Sequence, residues 1–218
     1  MPPYKHLQRY RQIVGILADE GFDDLLDITG LRRFAPMAGR IQGRQAREPI
    51  PIRMRRTVER LGPTFVKIGQ AASTRSDIIP DDIIDELRKL QDRVAPFPFD
   101  EARAVIESEL GGPLSDIFSE FDPEPLAAAS LGQVHTAVLP DGTPVVVKVQ
   151  RPGVRDVVET DLDILITQAR FIETHSELAG RYDFSGIVTE FANAVRAELD
   201  YLTEGANEIG RASCRERV

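Results

Sequence analysis

Two short strings constrain this chain more than anything else in it. One is Pro125-Leu126-Ala127-Ala128-Ala129-Ser130-Leu131-Gly132-Gln133-Val134-His135, and the other is Val145-Val146-Val147-Lys148. A run of β-branched residues fits a pleated, half-buried surface better than a helix. Between the strings, Pro140-Asp141-Gly142-Thr143 supplies the residue types that reverse a chain. The segment therefore reads as a tight loop, a strand, a turn and a second strand that ends in a lysine. Antiparallel pairing is expected over about residues 126–150, with Lys148 directed at the loop of residues 127–130.

The rest of the chain reads as helical. Apolar Ile13, Leu17, Leu25 and Ile28 suggest one or two amphipathic helices broken near Gly21. A connector follows in which Pro36, Pro49 and Pro51 interrupt helix. A helix from about Arg53 leads to Gly62-Pro63, where proline suits the first turn of the next one. On that helix Lys67 and Gln70 share a face, and Gly69 permits close approach of a neighbouring backbone. Pro80-Asp81-Asp82 opens a helix whose expected core face is Ile83, Leu87 and Leu90. Asp100 is expected to cap a helix ending at Gly111-Gly112. A short helix near Leu114 to Phe118 precedes the alanine loop. A long helix over residues 154–175 carries Val158, Leu162, Leu165 and Ala169, and a last one from about Ser185 lines up Ile187, Phe191, Val195 and Leu199. The fold class is α+β, helix-rich, with a small antiparallel sheet.

Composition narrows the classes of function. A net charge of −8 makes the whole molecule a poor partner for nucleic acid. No apolar run approaches the roughly 20 residues of a membrane span. The first residues lack the apolar centre of a secretory signal, and Asp19, Glu20, Asp23 and Asp24 argue against a transit peptide, so a cytoplasmic location follows. Cys214 is the single cysteine, which excludes an intrachain disulfide and suits a reducing compartment. His6, His135 and His175 are never at metal-ligand spacing and read as structural or exposed. One stretch is strongly basic: Arg32, Arg33, Arg40, Arg44, Arg47, Arg53, Arg55, Arg56 and Arg60 face only Glu48 and Glu59. Two readings of it stay open. It could dock on anionic lipid headgroups, at about 1 kcal/mol per arginine near the surface, or its arginines pair with acids elsewhere in the chain.

A third set of residues gives the hairpin its context. Upstream stands Leu61-Gly62-Pro63-Thr64-Phe65-Val66-Lys67-Ile68-Gly69-Gln70, continued by Ser73-Thr74-Arg75 and Leu90-Gln91-Asp92-Arg93; downstream stand Glu198-Leu199-Asp200-Tyr201 and Glu204-Gly205-Ala206-Asn207. A lysine–glycine–glutamine helix, an alanine loop, a strand lysine and a Glu-x-Asp in this order resemble the UbiB/ADCK family of atypical kinase-like proteins, from about Arg9 to Asn207. The resemblance implies the small lobe of a protein-kinase-like fold behind a helical N-terminal extension. It divides the chain into a helical, arginine-rich segment at residues 1–52, the Lys-x-Gly-Gln extension at 53–118, the kinase-like lobe at 119–208 and a tail at 209–218.

The same resemblance implies roles. Lys148 becomes the lysine that grips nucleotide phosphates, with Glu204 as its carboxylate partner. Ala127, Ala128, Ala129 and Ser130 become the loop over the phosphates, where a kinase has glycines. Methyl groups there make positive φ costly, so the loop should be stiffer than a glycine-rich one, with Ser130 as a donor to a phosphate oxygen. Lys67 would meet Glu198 or Asp200, with Gln70 alongside, as a charged plug where a kinase admits a protein substrate. On a regular helix Glu198 and Asp200 lie roughly 200° apart, so both face one cleft only if the helix bends. Val145-Val146-Val147 stands where the family has alanine and isoleucine before the lysine, which crowds the adenine side. Gly205 replaces a usual alanine, at a cost of roughly 1 kcal/mol. The implied cofactor is ATP or ADP with Mg²⁺, whose ligands belong to a C-terminal lobe. The implied partners are the nucleotide, an anionic membrane surface at its inner face, and quinone-biosynthesis proteins or lipid intermediates.

The end of the chain departs from this pattern. Ile209-Gly210-Arg211-Ala212-Ser213-Cys214-Arg215-Glu216-Arg217-Val218 resembles translated sequencing-adapter read-through; the alternative is a frayed helix end. On the first reading Cys214 has no function, the C-terminal lobe is absent, and this chain is an inactive piece of a longer protein. Two functions compete for the parent: an ATP-binding atypical kinase or ATPase supporting isoprenoid-quinone biosynthesis, and a nucleotide-responsive, membrane-docked scaffold or lipid chaperone without phosphoryl transfer.

Overall fold

The computed structural model describes residues 3–34, 48–77, 79–91, 95–175 and 183–201. The chain is α+β, with helices α1 (Pro3–Asp19), α2 (Asp23–Ile28), α3 (Ile50–Leu61), α4 (Pro63–Ala72), α5 (Asp81–Arg88), α6 (Phe99–Leu110), α7 (Leu114–Ile117), α8 (Val154–His175) and α9 (Phe184–Glu198) among the described residues. Strands β1 (Glu120–Phe121), β2 (Ala127–Ala128), β3 (Gly132–Val138) and β4 (Pro144–Gln150) make one antiparallel sheet. The described residues divide into two compact units, one drawn from residues 1–92 and 156–192 and the other from 93–155 and 193–201.

In the first unit Tyr10, Ile13, Val14 and Leu17 of α1 bury against Leu26, Leu61 and Ile164. A smaller cluster gathers Val66, Leu87 and Leu90. Gly69 lies at the meeting of α4 with its neighbours. A Cβ there would stand 2.5 Å from Leu90 Cδ1 and 3.1 Å from Val58 Cγ1, which explains glycine in the middle of a helix. On α5 Leu87 is buried and Ile83, half-buried, packs against the Val66–Leu87–Leu90 cluster, as the expected face requires, while Ile84, one position round, is buried as well. α4 begins with Pro63 in its first turn, as its sequence requires.

A buried ion pair joins distant parts of this unit. Asp161 of α8 is fully buried. Arg9 of α1 grips it bidentately, Nε to Oδ1 at 2.6 Å and Nη2 to Oδ2 at 2.9 Å, and Thr64 Oγ1 of α4 donates to Oδ2 at 2.7 Å. Arg9 also donates to the Leu61 carbonyl and to Gln12. Every carboxylate oxygen therefore has a donor, which is what a buried charge demands.

The arginine cluster is committed within the same unit. Arg40, Arg44 and Arg47 lie outside the described residues. Arg32 pairs with Asp27, Arg55 with Glu59 and Glu86, Arg56 with Glu20 and Glu48, and Arg60 with Asp19 and Glu20. Arg53 donates to the carbonyls of Glu20 and Gly21 and lies over Phe22, while Arg33 lies over Phe34 and Phe171. Each of these six arginines thus has a partner within its own unit: acids for Arg32, Arg55, Arg56 and Arg60, backbone carbonyls and a ring for Arg53, and rings for Arg33.

Glu20 is the buried centre of that cluster. Burial opposes its ionisation, but hydrogen bonds from Arg56 and then Arg60 outweigh burial and hold the carboxyl below its usual range. A depressed carboxylate stabilises the fold above its unfolded value, and that contribution disappears as pH falls through the folded value. Glu20→Gln is thus expected to lower the denaturation midpoint at pH 7 and to flatten its fall between neutral pH and pH 3. Denaturant titrations at both pH values check this; an unchanged neutral midpoint would refute it.

In the second unit β3 is the central strand. β4 pairs along its whole length, from Gly132↔Gln150 to Val138↔Pro144. β2 and β1 pair at the two ends of its other edge, through Ala127↔Val134 and Glu120↔Val138. The hairpin and its antiparallel register are as the valine run and the Pro-Asp-Gly turn require. Gln133, His135, Ala137 and Val149 face the core made by Phe97, Ala102, Ile106 and Phe118. Asp100 does not cap α6: Pro98 occupies the N-cap and Asp100 sits inside the first turn, where a carboxylate still favours the positive helix end. Gly111 closes α6 in the left-handed conformation.

Candidate functional site

Alternation along the hairpin gives the sheet two unlike faces. Directly paired residues of an antiparallel sheet project to the same side. One face, holding Gln133, His135, Ala137, Val145, Val147 and Val149, is packed on α6 and its neighbours. The other carries Val134, Thr136, Val146 and Lys148, and of these Thr136, Val146 and Lys148 are exposed. Val146 has 67% of its surface free.

Lys148 stands on this open face. Val134 pairs with Lys148 on one side and with Ala127 on the other, so Ala127, Val134 and Lys148 form a single cross-strand row. That register puts the strand lysine on the same face as the first alanine of the loop. Further along, toward the Pro140–Thr143 turn, the open face broadens into a groove of about 630 Å³ lined in part by Glu120, Asp122, Thr136, Pro144 and Val146.

The alanine segment is a tight reversal. The Ala129 N–H donates to the Gly132 carbonyl at 2.8 Å, leaving Ser130 and Leu131 at the tip. Among the described residues positive φ occurs only at glycines, so the alanines and the tip all keep ordinary backbone conformations. Leu131 is buried and its carbonyl accepts the Arg151 N–H at 2.9 Å, while Ser130 is buried beside it. Methyl-bearing residues build a hairpin tip pinned from behind.

Behind the sheet runs a chain of buried polar groups. The Phe97 N–H donates to Gln133 Oε1 at 3.0 Å, Gln133 Nε2 lies 2.9 Å from His135 Nε2, and His135 Nδ1 lies 2.9 Å from the Asp122 carbonyl. Because Gln133 Oε1 is taken by an amide, its NH₂ group donates to His135 Nε2. The imidazole proton therefore sits on Nδ1 and goes to the carbonyl. His135 is structural, and Gln133, unremarkable in sequence, orients it.

The end of α9 closes the site from another direction. The helix stops at Glu198, and the Asp200 N–H turns back to the Ala197 carbonyl at 3.2 Å. Glu198 and Asp200 are therefore not on one regular helix, and the 200° separation does not apply to them. The Leu199 carbonyl accepts from Gln150 Nε2 and from Arg155 Nη2, each at 3.1 Å. Beyond it the Tyr201 ring lies under the Lys148 ammonium, 4.4 Å from Nζ to the ring centre. Gly132 makes room: a Cβ on it would lie 2.4 Å from the Val149 carbonyl oxygen and 2.6 Å from the Tyr201 hydroxyl. Tyr201 and Gly132 carry no local sequence signal of this role beyond their place next to the Glu-x-Asp and the alanine loop.

The remaining expected site residues divide between the units. Lys67 and Gln70 lie half-buried on α4 of the first unit, where Gln70 Nε2 reaches the Leu90 carbonyl at 3.5 Å. Glu198 and Asp200 belong to the second unit. Glu204, and with it the expected Lys148–Glu204 pair, lies outside the described residues, as do Cys214 and the whole tail at 209–218. Among the described residues no three His, Cys, Asp or Glu side chains gather as a metal set, and no helix is long and apolar enough to cross a membrane.

Comparison with known proteins gives this geometry relatives. Residues 89–215 match the ABC1 atypical kinase-like domain. The chain is 46% identical over 155 residues to the probable protein kinase UbiB of Marinobacter nauticus, covering 71% of this chain and 28% of that one. It is 49% identical over 154 residues to the chloroplastic protein Activity of BC1 complex kinase 7 of Arabidopsis thaliana, covering 71% of this chain and 22% of that one. Its match to the probable protein kinase UbiB of Aliivibrio fischeri is longer, 37% identical over 93% of this chain and 38% of the relative. The chain thus spans well under half the length of these relatives.

Proposed function

We propose, from the premise that this chain belongs to the ABC1 atypical kinase-like family of UbiB relatives, that its sheet is a nucleotide-binding surface. One observation carries the reading: an exposed strand lysine shares a cross-strand row with the first alanine of a tight loop, on the face of the sheet turned away from the core of Phe97, Ala102, Ile106 and Phe118.

The residues present suit ATP or ADP. Lys148 offers a flexible point charge to a phosphate. Val134 and Val146 offer apolar surface to a base, with Val146 narrowing that side. Ser130, at the loop tip, is proposed as a backbone or hydroxyl donor to a phosphate oxygen on the strength of the family resemblance. A bound nucleotide with Mg²⁺ would supply a transferable phosphoryl group; no Mg²⁺ ligand is assigned to the described residues. Lys67, Gln70, Glu198, Asp200 and Glu204 are proposed as the plug and pairing residues of the whole protein on the strength of the family motif alone. Support for isoprenoid-quinone biosynthesis as the setting, for quinone-biosynthesis or lipid partners, and for attachment at the inner face of a membrane comes from that same resemblance to UbiB proteins. Of the basic residues between Arg32 and Arg60, the six described ones are engaged with their own unit, which weakens a lipid-docking role for them.

Phosphoryl transfer is a proposal for the longer proteins, so binding is the property to measure on these 218 residues. Isothermal titration with Mg²⁺–ATP and Mg²⁺–ADP is expected to show saturable binding. Lys148→Ala is expected to weaken it roughly 10- to 100-fold, the value of one charge-assisted hydrogen bond. Absence of binding by the unaltered chain, or equal binding by the variant, would sink the reading.

A further inference from the structure

We propose that Tyr201 is a positioning residue for Lys148, its ring serving as the platform that directs the lysine ammonium across the open face of the sheet. The inference rests on the reading of Lys148 as the phosphate-gripping lysine. Lysine reaches its target on a four-carbon stem with many rotamers, so a site that uses it gains from a fixed direction. Here the direction has a visible source. At 4.4 Å from the ring centre the Lys148 ammonium is well within the roughly 6 Å over which a cation is attracted by an aromatic face.

The ring is itself held from two sides. Gln150 and Arg155 both donate to the Leu199 carbonyl, which ties the chain just before Tyr201 to the last residue of β4 and to the first turn of α8. The Tyr201 hydroxyl occupies the space above Gly132 that a side chain would fill. Gly132 pairs with Gln150 and Val134 with Lys148, so Gly132, Val134, Lys148 and Gln150 all face the same side. The phenol thus lies along the open face, its oxygen over Gly132 and its ring beneath the ammonium. Lys148 has a further interaction besides this one, and the ring sets the direction of the ammonium without acting as its counter-charge.

The chain offers a clean probe, because its lysines are Lys5, Lys67, Lys89 and Lys148. Reductive methylation with ¹³C-formaldehyde keeps each ammonium charged and yields one resolvable dimethyl signal per lysine. The Lys148 signal, assigned by its loss in Lys148→Arg, is expected to be shifted upfield by the ring current relative to the other three. Tyr201→Phe should retain that shift, and Tyr201→Leu should abolish it while leaving the other lysine signals in place. Nucleotide affinity should be unchanged in Tyr201→Phe and fall roughly two- to five-fold in Tyr201→Leu, as an exposed cation–π contact converts. An unshifted Lys148 signal in the unaltered chain overturns the platform whether or not any variant folds. So does a shift that survives Tyr201→Leu. Equal nucleotide affinity in Tyr201→Leu, in a chain whose binding needs Lys148, overturns the positioning role. If the unaltered chain binds no nucleotide but the ring-current result holds, the platform stands and the nucleotide reading alone falls.

Discussion

Asp161→Ala is expected to destabilise the first unit by about 3–5 kcal/mol, the usual cost of leaving one member of a buried ion pair without the other. Removing the carboxylate leaves the Arg9 guanidinium with the Leu61 carbonyl, Gln12 and the Phe65 ring but no counter-charge from Asp161, and deprives Thr64 of its acceptor. Asp161→Asn keeps the shape and one acceptor, so it should fall between the two. A double-mutant cycle with Arg9→Met separates coupling from the cost of the orphaned charge: the double variant should be more stable than Asp161→Ala alone. Chemical denaturation followed by helix signal measures all four variants, and a loss below about 1 kcal/mol for Asp161→Ala would contradict the geometry.

Gly132→Ala should be the most damaging small change in the sheet. The added methyl meets a backbone carbonyl at 2.4 Å, and backbone cannot swing aside as a side-chain tip can. Overpacking of this kind costs typically 1–3 kcal/mol. Its second contact is the Tyr201 hydroxyl, so the substitution should also displace the phenol from beneath Lys148. Thermal melts and nucleotide titration together check both effects. A fully stable variant with unaltered affinity would mean that β3, β4 and the end of α9 separate more easily than their hydrogen bonds imply.

Much of the second unit was legible because its signals are local. Three consecutive valines, a Pro-Asp-Gly turn and a lysine define a hairpin within a short stretch, and the register then decides which side of the sheet Lys148 joins. Long helices such as α8 announced themselves by repeated periodicity, whereas short ones left the phase open by a residue. Ile84 joins Ile83 in being covered for that reason. Ile187 fits the stripe of α9 and yet is 57% exposed, because nothing in the helix itself says where its partner surface ends.

What stayed hidden was long-range and polar. Asp161 looks like any acid on an amphipathic helix until Arg9 and Thr64 are brought to it. His135 read as structural or exposed, and only the amide of Phe97 and the carbonyl of Asp122 show that Gln133 joins it in a buried chain. For Arg32, Arg55, Arg56 and Arg60 the sequence left lipid docking and pairing with acids both open, because most of the acids they meet lie elsewhere in the chain. Tyr201 follows the Glu-x-Asp motif without belonging to it. In each case the residue type was visible and its partner was not.

The pairing of Arg9 with Asp161 also has a meaning in time. The two are 152 positions apart, and a ribosome adding 5–20 residues per second needs roughly 8–30 s to travel from one to the other. Throughout that interval α1 exists while the carboxylate that anchors it has not yet been made. The β3–β4 hairpin, closed across a single turn, can pair almost as soon as it emerges. Synthesis therefore delivers the sheet while the helical unit is still waiting for its middle, and α1 spends its early life as a segment in need of shelter.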